Sequence, residues 1–143
     1  MALNATIELG SKKYDLRELD YSIEKPVGAN FEPKSAPEGG IINFTILSPM
    51  DGNLQIHEWM LSLTDSMSGK FILPLTHGIQ HVTKEIEFED AQCVGLQEFY
   101  SAGYKDASQM YMRIKVVANK IKFGGNVTYT HKTKKKEEKN SNK

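Results

Sequence analysis

The chain has 143 residues, of which 39% are hydrophobic, and its 18 basic and 18 acidic side chains cancel. This length fits one domain that can bury a full core without metal or disulfide support. The single cysteine, Cys93, excludes an internal disulfide framework, and no apolar run approaches the roughly 20 residues of a membrane helix. The first residues lack the basic and apolar regions of a secretory signal, so we expect no cleaved leader.

The neutral total hides a charge difference between the body of the chain and its C-terminal end. Residues 132–143 hold six lysines and two glutamates, a balance of +4, which leaves −4 for residues 1–131. The segment has no apolar side chain, so burial cannot offset the entropy cost of ordering it. We therefore predict a folded domain over 1–131 and a disordered basic tail over 132–143.

Alternating apolar and polar residues predict three strands in the first half of the chain. They place the first strand at about 3–9 and the third at about 41–47, where Ile42, Phe44 and Ile46 share one face. In the second strand the apolar positions change from even to odd numbers near residues 17 and 18. A strand that keeps one face inside then needs an extra residue, so we predict a β-bulge there.

Two irregular features follow these strands. Residues 25–40 contain prolines and glycines without a helix or strand pattern, and a loop of about 15 residues exceeds the usual connection length. Such a loop is either functional or a mobile surface segment. Further on, Ile56, Trp59 and Leu63 recur at helical spacing, which predicts one amphipathic helix over about 53–63 with a cap at 51–53.

The second half of the chain returns to alternation. It predicts strands at about 70–75, 91–100, 110–118 and 126–131, with a further alternating piece around 85–89. Between them we expect a connector over 76–83, a turn at residues 89–90, and a bulge or strand break near residues 119–120.

This pattern is typical of a mainly β fold: a single-domain β-barrel of about seven to eight strands, with one amphipathic helix and a long loop after the second strand. The predicted core includes the large apolar residues Trp59, Phe88, Met110, Met112 and Ile114.

No residue set reaches the specificity of an enzyme site. His77 and His81 have the spacing of zinc ligands on a helix, but that motif also needs a glutamate and a third ligand, so we expect two loop histidines. Acidic and apolar neighbours favour a buried structural thiol at Cys93. His57 and Glu58 lack a nucleophile and an orienting partner, so we expect a solvated helix face. We predict no cofactor and no metal.

Several short strings, spread in order over about residues 3–128, follow the pattern of a known family. They are Leu19–Asp20–Tyr21–Ser22, Gly39–Gly40–Ile41, Glu58–Trp59–Met60, Gly69–Lys70, the run 85–94, the alternating run 110–118, and Lys120–Ile121–Lys122. Their order and spacing resemble the Hcp (TssD) tube proteins of the type VI secretion system, in their Bacteroidetes form.

The resemblance implies a non-enzymatic subunit that forms hexameric rings, which stack into an inner tube. It implies assembly in the bacterial cytoplasm and secretion to the extracellular space or a target cell without a cleaved signal. The implied partners are further copies, a contractile sheath, spike proteins and effector cargo, with no nucleic acid and no membrane. The long loop would form the ring-to-ring contact through Pro26, Gly28, Asn30, Phe31, Pro33 and Pro37.

Three other interpretations stay open at this point. A related contractile injection system or phage tail uses a tube subunit of similar fold. A monomeric barrel could hold a small ligand inside, although large inward residues argue for a filled interior. A metal enzyme using His77 and His81 is the third, and tight zinc binding would support it.

Overall fold

The computed structural model describes residues 4–31, 39–102 and 109–130. These contain seven β-strands and one α-helix, in the order β1 (Thr6–Leu9), β2 (Lys12–Tyr21), β3 (Ile41–Leu47), α1 (Gln55–Leu61), β4 (Met67–His77), β5 (Gln80–Ser101), β6 (Gln109–Gly124) and β7 (Val127–Thr130). The described part of the chain contains no helix that is both long and apolar enough to cross a membrane.

The strands form one antiparallel sheet that closes on itself. Its order is β3-β2-β1-β4-β5-β6-β7, and β3 also pairs with β6. The first six strands therefore make a closed barrel, and β7 is added to β6 beyond the point where β3 leaves it. The predicted mainly β barrel, with one helix and seven to eight strands, is confirmed.

The phase change in the second strand has the predicted cause. The β2–β3 ladder pairs Leu16 with Ile46 and then Glu18 with Thr45, so Arg17 is the extra residue of a β-bulge. The third strand also has the predicted bounds, and Ile42, Phe44 and Ile46 face the core.

The helix is shorter than predicted. It covers Gln55–Leu61, and Leu63 lies beyond it with 94% of its surface exposed. The predicted cap at 51–53 is also wrong in detail, because Leu54 occupies the cap position without a side-chain hydrogen bond. The Asn53 side chain still helps, since its Oδ1 accepts a hydrogen bond from the Gln55 backbone N–H at 3.0 Å.

Two predicted breaks in the second half do not exist. Residues 76–83 are not a connector, because β4 and β5 meet in a tight hairpin in which His77 pairs with Gln80. Residues 89–90 are not a turn, because β5 runs without interruption from Gln80 to Ser101. Asp90 instead adopts a left-handed backbone with φ 57° inside the strand.

β6 does not break near residue 119, but it changes face there as the sequence indicated. The buried residues of β6 have even numbers up to Ala118, and the next buried residue is Ile121. In β5 the buried residues change in the same way from Phe88 to Ala91. The ladder pairs Phe88 with Ile121 and Ala91 with Ala118, so the two changes lie at the same level. The two irregular positions are joined by a hydrogen bond of 2.7 Å from Asn119 Nδ2 to Asp90 Oδ2. Both strands therefore change face together, and their pairing continues.

Aromatic side chains fill the barrel. The Phe71 ring lies 5.3 Å from that of Phe44 and 5.5 Å from that of Phe88 between centroids. Trp59, Met112 and Ile114 are buried with them. The prediction that Met110 belongs to this core is wrong: it is 39% exposed, because it lies at the end of β6 just before the ladder with β3 begins.

Some predictions lie outside the described residues. They are the start of the first strand at Leu3, the end of the last strand at His131, the loop positions Pro33 and Pro37, and the basic tail 132–143.

Candidate assembly surfaces

The long loop presents one aromatic side chain to solvent. Residues 28–31 form a tight turn in which the Phe31 N–H donates to the Gly28 carbonyl at 3.1 Å. Phe31 has a left-handed φ of 66° and is 88% exposed. A bulky residue in this region costs of the order of 1–3 kcal/mol. Phe31 thus combines a strained backbone with a large apolar ring exposed to solvent.

The other predicted loop residues surround this turn. Pro26 and Gly28 are half-buried, while Asn30 is exposed at the tip. The far end of the loop is tied to the barrel, where the Gly39 N–H donates to Tyr129 Oη at 2.8 Å and the Ala118 N–H donates to the Gly40 carbonyl at 2.7 Å. Hydrogen bonds thus fix the end of the loop that leads into β3.

The β4–β5 hairpin extends past the wall of the barrel. β4 pairs with β1 only over residues 69–72, and β5 pairs with β6 only from residue 87 onward. In the described part of the chain, residues 73–77 and 80–84 therefore pair only with each other. We call this two-stranded extension the ribbon.

The ribbon carries apolar side chains that the barrel does not cover. Leu75 and Val82 are cross-strand partners and both are exposed, and Ile79 at the tip is 95% exposed. An isolated two-stranded ribbon is at best marginally stable in water. Pro74 is tolerated because β4 has no neighbour on its outer edge at that point. A partner would stabilise this element.

A second strand edge is open at β7. Among the described residues, β7 pairs on one side only, with β6. Its inward Tyr129 is buried, while Val127 is exposed. An open edge presents backbone donors and acceptors to a neighbouring chain.

Charges alternate along a line that crosses five strands on the outside of the barrel. Register places Lys13, Glu8, Lys70, Glu87 and Lys122 side by side. Neighbouring carboxylates add ion pairs, of which Lys122 Nζ to Glu89 Oε2 at 2.8 Å is the shortest. Exposed pairs of this kind contribute about 1 kcal/mol or less each.

The residues considered for catalysis do not form a site. His77 and His81 lie in the ribbon, not on a helix, and the described residues contain no group of three or more His, Cys, Asp or Glu that could hold a metal. Cys93 is buried, and burial raises the pKa of its thiol. Glu58 is exposed, as predicted for a solvated helix face, whereas His57 is half-buried and its Nε2 lies 3.1 Å from Glu98 Oε1.

Glu98 also binds Ser48, whose Oγ donates to Oε2 at 3.1 Å. The carboxylate therefore stands between the imidazole and the hydroxyl. A serine nucleophile needs the histidine next to it as a base, so this trio is structural. Sequence analysis missed Glu98, because its partners are distant in the chain.

Solved structures share this fold. Hcp1 from Flavobacterium johnsoniae aligns with a TM-score of 0.72 and 19% identity, over 90% of this chain and 100% of that one. The secreted protein Hcp3 from Pseudomonas aeruginosa aligns with a TM-score of 0.60 and 10% identity, over 92% and 100%. Hcp1 from E. coli EAEC 042 gives 0.64 and 11%, over 90% and 97%. No curated protein sequence matches the chain significantly.

These alignments define the class of the fold as the Hcp-type barrel. The sequence itself matches the family of the hemolysin coregulated protein Hcp (TssD) over residues 1–132, and the chain belongs to that family. It is a tube subunit, and proteins of this family are secreted components of the type VI secretion system. Tube subunits of this family assemble into oligomers.

Proposed function

We propose that this protein forms hexameric rings that stack into the inner tube of a type VI secretion system, with Phe31 at the contact between rings. The observation that carries the proposal is the exposed ring of Phe31, a residue with a strained backbone in the long loop. Large apolar side chains of this kind give interfaces most of their binding energy when a partner encloses them.

The ring contact is assigned to the two open edges. The ribbon of one copy and β7 of the next are different surfaces, so their contact is heterologous and can close into a ring. Strand pairing across the contact would satisfy the free edge of each and cover Leu75, Ile79 and Val82. In a single copy these apolar side chains remain exposed to solvent.

The role is structural and not catalytic. The barrel interior is occupied by the rings of Phe44, Phe71 and Phe88, which also argues against a monomeric barrel that binds a small ligand inside. The sheath, the spike and effector cargo in the lumen are the partners expected of such a tube, and the assembled protein would leave the cytoplasm through the machine.

Light scattering over a range of concentrations, with negative-stain microscopy, tests the assembly. We expect hexamers that stack into longer particles as the concentration rises. Phe31→Asp should leave the ring intact and remove the stacks. The matched control is Leu63→Asp, since Leu63 is 94% exposed but lies outside the loop and the ribbon. Stacks that survive Phe31→Asp, or a monomer at every concentration, would contradict the proposal.

A ribbon variant tests the ring contact separately. Val82→Asp places a charge on the exposed face of the ribbon without touching the core. We expect it to lower the hexamer mass toward that of the monomer, while the circular dichroism spectrum stays that of the unmodified protein. A ring of unchanged mass would assign the contact to other surfaces.

A further inference from the structure

A groove lined by polar and apolar residues lies on the outside of the barrel. It has a volume of about 360 Å³, within the range of ligand sites. Residues of four neighbouring strands line it, and the apolar residues Phe44, Leu96 and Ile114 are among them. We call it the outer groove and define it by Glu18 and Asp20 of β2, Asn43 and Thr45 of β3, Arg113 and Lys115 of β6, and Gly95 of β5.

Local irregularities of the strands open this groove. The β2 bulge at Arg17 adjoins one side of it, and a second bulge lies on the other side, where the β5–β6 register shifts between Cys93 and Gly95. Bulges bend strands and increase their twist. Gly95 supplies no side chain, and a Cβ there would lie 3.2 Å from Lys115 Cβ. Glycine inside a strand often marks a close approach by another chain.

The two walls of the groove carry opposite charges. Glu18 and Asp20 form the acidic wall, and they are oriented by hydrogen bonds from Thr45 at 3.4 Å and Asn43 at 3.1 Å. The basic wall is Arg113 and Lys115. The Arg113 guanidinium is held over the Phe99 ring, 4.9 Å from its centroid. No ion pair joins the two walls among the described residues, because β3 separates them.

The chain leaves β7 in the direction of this groove. β7 runs antiparallel to β6, with Thr130 opposite Lys120. β3 pairs with the same edge of β6 over residues 111–117, while β7 pairs with it over residues 120–124. A chain that continues the line of β7 therefore passes over β3, toward Asn43 and Thr45. The level of Arg113 lies seven residues beyond that of Lys120, or about 23 Å at about 3.3 Å per residue.

The residues after Thr130 are long enough to reach the level of Arg113, and their charges are complementary to the two walls of the groove. Seven extended residues, 131–137, also span about 23 Å. The sequence at this reach is Lys134–Lys135–Lys136–Glu137–Glu138, a basic run followed at once by an acidic pair. These charges lie beyond residue 132, where the match to the family ends.

We propose that residues 134–138 bind in the outer groove of their own chain. The lysines contact the acidic wall of Glu18 and Asp20, and Glu137 and Glu138 contact the basic wall of Arg113 and Lys115. The groove is thus a site for an extended peptide that carries both signs of charge. While the tail occupies it, a second peptide of this kind must compete for the same walls.

Disulfide trapping in the full-length chain tests the position of the tail. In a Cys93→Ala background, Asn43→Cys is combined with Lys136→Cys, and the control combines Lys13→Cys with Lys136→Cys, because Lys13 lies on the outer face remote from the groove. With a mild oxidant at low salt we expect a bond within one chain for the first pair only, read by mass spectrometry. About 1 M NaCl should suppress it, since the Debye length is then about 3 Å.

Equal trapping of both pairs, or bonds formed only between chains, would overturn the proposal.

Neutral variants of each wall test whether both signs of charge matter. We expect the trapping yield to fall several-fold in an acidic-wall variant, Glu18→Gln with Asp20→Asn. We expect a similar fall in a basic-wall variant, Arg113→Gln with Lys115→Gln. The tail variant Glu137→Gln with Glu138→Gln should lower the yield as much as the basic-wall variant does. A tail held only by attraction of lysines to an acidic surface would instead trap better once the basic wall is removed, and that rise would refute the two-walled site. The circular dichroism of each variant checks that the barrel is intact.

Discussion

The imidazole of His57 and the carboxylate of Glu98 meet at 3.1 Å between Nε2 and Oε1, and this contact fastens α1 to the barrel. The helix covers β5 where β4 no longer pairs with it, since that ladder ends at Met67 and Ala91. Trp59 Nε1–H donates to the Ala91 carbonyl at 3.2 Å, at the end of that ladder. The helix therefore replaces a missing strand, and Glu98 is its polar anchor.

Removing that anchor should destabilise the domain. We expect Glu98→Ala to lower the free energy of unfolding by about 1–3 kcal/mol, because both His57 and Ser48 lose a charged hydrogen-bond partner. The control is Glu85→Ala, whose exposed pair with Lys70 at 3.5 Å should contribute less than about 1 kcal/mol. Urea unfolding measures both, and equal losses would contradict the role of Glu98.

Phe31 should show opposite effects on stability and on assembly. Asparagine adopts a left-handed backbone more readily than phenylalanine, so Phe31→Asn should raise the free energy of unfolding of the dilute protein by about 1 kcal/mol. The same change should shorten the stacks seen by microscopy. If stability falls instead, the exposed ring is supporting its own barrel and the assignment of Phe31 to an interface is wrong.

A close approach of strands makes Gly69 irreplaceable. A Cβ at this position would lie 2.6 Å from Phe88 Cζ and 2.7 Å from the Glu8 carbonyl oxygen. We expect Gly69→Ala to cost about 2 kcal/mol or more, because backbone and a packed ring must both move. Ser68→Ala, at the exposed neighbouring position, is the control and should change the melting temperature little.

The Lys122–Glu89 pair gives a pH dependence of defined sign. The hydrogen bond from Lys122 lowers the pKa of Glu89, and the same bond raises the pKa of Lys122. The carboxylate's contribution is present above its ordinary pKa of 4.5 and is lost as the pH falls further, through the lowered pKa of the folded state. The ammonium's contribution is lost as the pH rises past its ordinary pKa of 10.5 and through the raised pKa of the folded state.

Lys122→Gln should therefore lower the melting temperature at neutral pH, and its difference from the unmodified protein should disappear once the pH has fallen below the lowered pKa of Glu89. Lys84→Gln, which removes an exposed lysine from the ribbon, serves as the control and should show no such convergence. A difference for Lys122→Gln that persists in acid would show that packing of its stem, and not the ion pair, is responsible.

Cys93 should be unreactive in the folded protein. Burial raises the pKa of its thiol, so the reactive thiolate is scarce as well as enclosed. A thiol reagent at pH 8 should label Cys93 slowly, and labelling should become fast in denaturing urea. Asn43→Cys provides an exposed thiol for comparison; equal rates for the two positions in native buffer would show that the core around Cys93 opens easily.

The sequence was informative where one face of an element is buried. The third strand and the bulge at Arg17 could be predicted because Ile42, Phe44, Ile46 and their counterparts in β2 must all face one core. The ribbon could not be predicted, since residues 80–85 are exposed on both faces and no hydrophobic period exists there. Helix length was overestimated because the position of Leu63 fits the helical period although the side chain is exposed.

The phase change near residue 119 shows a different limit. A single strand that changes face looks interrupted when its sequence is considered alone. In the structure the partner strand changes face at the same level, and Asp90 bonds to Asn119 there. Recognising this requires knowing the pairing register. The sites that depend on distant partners, such as Glu98 with His57 and the walls of the outer groove, were missed for the same reason.

The paired change of face at Asp90 and Asn119 also restricts how the longest hairpin of the chain can form. A uniform pair of strands can slide by two residues and still present its apolar side chains to one side. Here any slide would separate the two irregular positions, so that one strand would turn its apolar side chains outward while its neighbour did not. A misaligned hairpin would then close the barrel with apolar side chains outside, which is unfavourable. Folding therefore favours the single alignment in which the two irregular positions meet.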